Sequence, residues 1–63
     1  MTQLNTAANL EKADDFYAAL LAAHERLDEA DIHALNARLI LILSNHIGDQ
    51  AVLVAAIDAA KRS

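Results

Sequence analysis

The sequence predicts an all-α protein, and three observations predict this fold class. Hydrophobic residues make up 56% of the 63 residues but aromatic residues only 3%, and much of the apolar content is Ala, the strongest helix former. Apolar side chains recur at spacings of three and four residues, which is the period of one helix face. An Asp, a residue type that caps helices, precedes each of three periodic stretches, at Asp14, Asp28 and Asp49.

Residues 1–12 show no sustained period. We therefore predict an extended N-terminal arm over residues 1–12, anchored by Leu4 and Leu10, and a three-helix domain over residues 13–63.

The first helix is predicted to begin with Asp14 as its N-cap and Asp15 in its first turn, where a negative charge complements the helix dipole. Phe16 is expected to anchor the core, while the adjacent Tyr17 keeps its hydroxyl at the edge. One stripe of this helix consists of Phe16, Leu20, Ala23 and Leu27, and a neighbouring stripe consists of Tyr17, Leu21 and His24. Together they make one wide apolar face.

The second helix is predicted to follow the cap Asp28 and to run to about His46, and it contains an unbroken aliphatic run from Leu39 to Leu43. Gly48 suits the left-handed position that ends a helix, because a Cβ is costly there.

The third helix is predicted to begin after the cap Asp49, at Gln50, and to extend to about Lys61. Because its junction with the second helix is short, these two helices should be neighbours. We predict a compact three-helix unit in which the second helix is central.

A chain of 63 residues without cysteine has one small core and no disulfides, so we expect association to supply stability. The aliphatic second helix indicates where the chains would associate. If it packs on a symmetry mate, Leu41 and Ile42 lie at the centre of a homodimer interface, and Arg38 and Asn45 form its polar rim. An alternative of equal weight is that Arg38 only pairs with an acidic residue at the surface.

The charge pattern disfavours two classes of partner. The net charge is −4, and the basic residues are scattered, so no basic stripe is available to a nucleic-acid backbone. The aliphatic run is far shorter than the roughly 20 residues that span a bilayer, and the first residues do not resemble a signal peptide. We expect a cytoplasmic protein that binds neither nucleic acid nor membrane.

Four polar residues form a candidate polar cluster: His24, Asn36, His46 and Asp49. A His three residues before an Asp can be oriented as a general base. However, no nucleophile stands in a motif, and Asp49 is better interpreted as a helix cap. The three His residues also lack the four-residue spacing of a zinc helix. We predict no catalytic residue, no metal site and no cofactor.

Several segments resemble a family of short proteobacterial proteins known only as a domain of unknown function. In order, they are Asn9-Leu10, Asp14-Asp15-Phe16-Tyr17-Ala18-Ala19-Leu20, His24, Asn36-Ala37-Arg38-Leu39 and Asn45-His46-Ile47-Gly48-Asp49. The last segment is the most specific, and one departure is Ala13, where a proline is expected. The resemblance implies genes beside those for flavin-dependent aromatic-ring hydroxylases and metallo-hydrolases, and hence an accessory role in aromatic catabolism with a flavoprotein hydroxylase as a candidate partner.

Two functions are therefore carried forward. The first is a small helical interaction protein or accessory subunit without catalysis of its own, bound to a second copy or to a partner protein. The alternative is a small-ligand-binding or catalytic module in which Arg38 holds a carboxylate such as that of an aromatic acid. Its pocket would be formed by His24, Arg38, Asn45, His46 and Asp49.

The substitution Leu41→Glu tests the predicted interface. We expect it to dissociate the assembly, because it places a charge at the centre of an apolar contact. Native mass and thermal stability are the measurements. A variant that keeps the full mass and stability of the parent chain would contradict a dimer contact through Leu41.

Overall fold

The computed structural model describes residues 4–62 and contains three helices. Helix α1 spans Ala13–His24, α2 spans Glu29–Ile47 and α3 spans Gln50–Lys61. Residues 4–62 contain no β-strand. The predicted all-α class with three helices is confirmed.

The start of α1 differs from the prediction. The helix begins at Ala13, and the N-cap position is Lys12, whose side chain makes no capping hydrogen bond. Asp14 and Asp15 both lie in the first turn, so Asp14 is not the cap. Their carboxylates stabilise this end through the positive pole of the helix dipole.

The end of α1 also differs, because Leu27 lies beyond the helix and not on its apolar face. Glu25 is extended, Arg26 has φ 65°, and the Leu27 backbone N–H donates to the His24 carbonyl at 3.3 Å. This pattern is that of a type II β-turn, in which the third residue has positive φ and is commonly Gly. The turn ends α1 and leads the chain towards α2.

The ends of α2 and α3 agree with the predicted caps. The Asp28 carboxylate accepts a hydrogen bond from the backbone N–H of Asp31 at 2.9 Å, and Gly48 is left-handed with φ 68°. Asp49 Oδ1 accepts from the backbone N–H groups of Ala51 and Val52 at 3.0 and 3.3 Å. These caps satisfy N–H groups that the helices leave unpaired.

The predicted compactness of the unit is wrong. No side chain among residues 4–62 is buried, and no two helices make an extensive contact. The radius of gyration is 13.4 Å, whereas a compact domain of this length has about 11 Å. The predicted core anchor Phe16 is 47% exposed. The physical reason is that two short helices cannot cover a longer helix whose aliphatic residues Ile40 to Leu43 point to every side.

The segment before α1 forms no helix or strand over residues 4–12. Leu4 is partly buried and lines a cavity with Ala55 and Ala59 of α3, whereas Leu10 is exposed. Positions 1–3 of the predicted arm, and position 63 of the predicted domain, lie outside the described residues.

Replacing Arg26 by Gly should stabilise the chain. A residue with a Cβ costs roughly 1–2 kcal/mol in the left-handed region, and the extra freedom of Gly in the unfolded chain offsets part of this. We expect Arg26→Gly to raise the free energy of unfolding by about 0.5–1 kcal/mol in urea titrations at fixed chain concentration. The control Glu25→Gly, at a residue with φ −60°, should lower it. Equal effects of the two substitutions would contradict strain at Arg26.

Candidate interaction surface

Helix α2 leaves its aliphatic side chains uncovered. Four consecutive residues, Ile40 to Leu43, are all exposed, and Leu41 and Ile42 are 69% and 65% exposed. Because successive residues of a helix are about 100° apart, these four side chains point to all sides of α2. Contiguous apolar surface of this kind marks sites where another molecule binds.

The four predicted interface residues, Arg38, Leu41, Ile42 and Asn45, are all exposed on α2. Leu41 lies three residues after Arg38 and four before Asn45, so these three share one side of the helix. Ile42 lies about 100° further round, towards the side of Leu35 and Leu39. The predicted patch is accessible and extends over two sides of α2.

Helix α3 adds apolar side chains to the exposed surface. Val54 and Ile57 are exposed and, being three residues apart, lie on one side of α3. Leu4 lies at another side of this helix, where it lines a cavity with Ala55 and Ala59. Val54 and Ile57 are therefore open to contact from outside the chain.

An apolar groove of about 210 Å³ lies between α1 and α2. It is lined by Phe16, Ala19, Leu20, Ala23, Leu35 and Leu39. The groove shows which side of α2 is covered by α1, and it also shows that this cover is incomplete.

His24 is held at both ring nitrogens. Its Nδ1 lies 2.6 Å from the Leu20 carbonyl oxygen, and its Nε2 lies 2.9 Å from Oδ1 of Asn36 on α2. A carbonyl oxygen can only accept, so Nδ1 donates. When the ring is neutral, Nε2 accepts a hydrogen bond, and the Asn36 amide can turn its NH₂ group to donate to Nε2. When the ring is protonated, Nε2 donates to Oδ1 of Asn36. The pair joins α1 to α2 in either state.

His46 and Asp49 lie at the other end of α2, and both are exposed. Asn36 and His46 are ten residues apart on α2, which corresponds to about 15 Å along the helix. Asp49 Oδ1 accepts from the N-terminus of α3, and within residues 4–62 no hydrogen bond joins its side chain to His46. The structure therefore brings together His24 and Asn36 but leaves the other two members of the predicted cluster apart from them.

The five residues of the predicted pocket do not share a cavity among those seen on residues 4–62. Three concave sites have volumes of about 380, 700 and 210 Å³, and none of the three has His24, Arg38, Asn45, His46 or Asp49 in its lining. Arg38 lies two residues after Asn36, and this spacing places it on nearly the opposite side of α2 from the His24 contact.

Two further properties of residues 4–62 bear on function. No group of three His, Asp or Glu side chains within this range is arranged to hold a metal ion. None of the helices in the same range combines the length and apolar character that a bilayer crossing requires.

Comparison with known proteins gave one match. A family model described as "Protein of unknown function (DUF2783)" matches residues 4–62. Neither the search of curated proteins nor the search of solved structures found a match.

Sequence reasoning did not assign Val54 or Ile57 to an interface. The third helix was expected to pack against the second helix within the chain. An available signal was the absence of an ionised residue between Asp49 and Asp58, since a solvated helix face normally carries charge.

A double-mutant cycle tests the link between His24 and Asn36. The single substitutions His24→Ala and Asn36→Ala should each destabilise the chain, and their coupling should be about 0.5–1.5 kcal/mol, the net contribution of one hydrogen bond. Urea unfolding at fixed chain concentration is the measurement. The control is His33→Ala, because His33 makes only an exposed contact with Glu29 at 3.7 Å and should leave stability almost unchanged. Zero coupling would mean that the His24 contact does not hold α1 on α2.

Proposed function

The chain belongs to the DUF2783 family, whose function is unknown, and from its uncovered apolar surface we propose that it is a small helical interaction protein. In this proposal it acts as an accessory subunit, without catalysis of its own, and its aliphatic α2 surface is covered by another polypeptide.

The observation that carries the proposal is the lack of any buried side chain among residues 4–62, in a chain that is 56% hydrophobic. Full burial of one large aliphatic side chain contributes about 1.5–3 kcal/mol. The exposed residues Ile40, Leu41 and Ile42 would thus gain several kcal/mol from a partner, which is comparable to the whole stability of a small domain. Such a surface favours a chain bound to another polypeptide over an isolated monomer.

The polar residues favour a structural role over a catalytic one. His24 bonds the Leu20 carbonyl of its own helix through Nδ1 and Asn36 on α2 through Nε2, and Asp49 caps α3. No Cys is present in the sequence to act as a nucleophile. We therefore assign no catalytic residue and no cofactor.

The covering polypeptide is either a second copy of the chain, through Arg38, Leu41, Ile42 and Asn45, or a different protein of the cytoplasm. The family resemblance suggests a flavin-dependent aromatic hydroxylase as the first protein to test. In either case the acidic residues would stay at the outer surface of the complex.

The test is the native mass of the tagged chain recovered from cells of its source organism, with co-purifying proteins identified by mass spectrometry. We expect a stoichiometric complex, either with itself or with one other protein. The Leu41→Glu variant serves as the matched bait and should recover less of the complex, because the charge opposes burial. A stably helical chain that is recovered only as a monomer would overturn the proposal.

A further inference from the structure

We propose that the polypeptide covering α2 is a second copy of this chain, and that the two copies meet through the segment Leu39–Ile57, named here the uncharged hairpin. This segment comprises the C-terminal half of α2, the Gly48-Asp49 junction and the first part of α3. The inference rests on the proposed function and specifies its partner.

The first argument is the area that the chain leaves exposed. Its accessible surface is 5697 Å², whereas a compact monomer of this size exposes about 4,000 Å². The excess of roughly 1,700 Å² per chain is about twice what each partner buries in a standard interface. For two chains it totals roughly 3,400 Å², which lies within the range of obligate homodimers. A second copy leaves the same excess of accessible surface exposed, so each chain can bury the excess surface of the other.

The second argument is the distribution of charge. Within the uncharged hairpin the one Asp, Glu, Lys or Arg is Asp49, and its carboxylate already accepts hydrogen bonds from the start of α3. Most acidic residues lie earlier in the chain, namely Glu11, Asp14, Asp15, Glu25, Asp28, Glu29 and Asp31. Two copies with net charge −4 can meet through the hairpin without bringing these acidic groups into the contact. A partner selected by charge would instead be basic and would bind the acidic region.

The third argument is the shape of the surface to be covered. Ile40 to Leu43 point to all sides of α2, and α1 covers only the side of Leu35 and Leu39. One added helix cannot cover the remaining sides, whereas two can. The uncharged hairpin of a second copy supplies two helices, and the exposed Val54 and Ile57 of its α3 do not line the Leu4 cavity.

The resulting assembly is a closed, two-fold symmetric unit with a core of four helical segments, α2 and α3 from each chain. Two-fold symmetry makes the contact self-complementary, so the same residues of both chains are buried. Within the hairpin, the small side chain of Ala56 on α3, which does not line the Leu4 cavity, allows close approach of helix axes. In this unit, α1 lies at the outside with its acidic residues in solvent.

The test is sedimentation equilibrium of the purified full chain, combined with thermal unfolding followed by circular dichroism at several chain concentrations. We expect the mass of two chains and a Tm that rises with concentration, since dimer stability depends on concentration. Ile42→Glu and Ile57→Glu should each raise the dissociation constant by at least about a hundredfold, because each buries a charge twice per dimer. The matched control Leu21→Glu alters a 50% exposed Leu on α1, outside the hairpin, and should leave the dimer intact.

Each other result overturns the inference. A helical monomer whose Tm is independent of concentration would show that a second copy is not the partner. If such a monomer forms a stoichiometric complex with a different protein in cells, the proposed function is retained and only the second copy is excluded. If it is recovered from cells as a monomer, the proposed function and this inference are both overturned. Loss of the dimer in Leu21→Glu, with the dimer kept in Ile42→Glu and Ile57→Glu, would exclude the uncharged hairpin as the contact. A mass above that of two chains would exclude a closed pair.

Discussion

The aliphatic side chains that surround α2 are the constraint on which the rest of this structure depends. Ile40 to Leu43 point to all sides of the helix, while α1 covers one side and α3 departs at Gly48. The chain supplies too few helices to bury them, and each of these partly exposed side chains forgoes part of the roughly 1.5–3 kcal/mol that full burial contributes. Stability and association are therefore expected to be linked, because the same surface must serve both.

Polar contacts determine the course of the chain but not the covering of its apolar surface. The carboxylates of Asp28 and Asp49 satisfy the first N–H groups of α2 and α3, and Gly48 ends α2 in the left-handed region. The contact between His24 and Asn36 holds the end of α1 on α2. Each of these interactions contributes about 1 kcal/mol, and the caps act within a few residues, whereas the His24 contact links two helices. They orient the helices and leave the C-terminal half of α2 uncovered.

Charge and apolar surface are separated along the chain. Most acidic residues precede Ile32, whereas the one Asp, Glu, Lys or Arg of the uncharged hairpin is the capping Asp49. Burial of an apolar surface is favoured where no charge must be desolvated with it. The separation thus lets one region bind another polypeptide while the other stays in solvent, as the proposed interaction role requires.

The sequence by itself determined the all-α class, the three helices and the ends of α2 and α3, because helical period, capping Asp residues and Gly48 act over a few residues. It did not determine the end of α1, where the positive φ of Arg26 follows a turn that no Gly marks. Only the tertiary structure decided that His24 meets Asn36 and that no compact core forms. The reason is that periodicity shows which side of a helix is apolar, whereas the covering of that side depends on helix directions and on the other chains present.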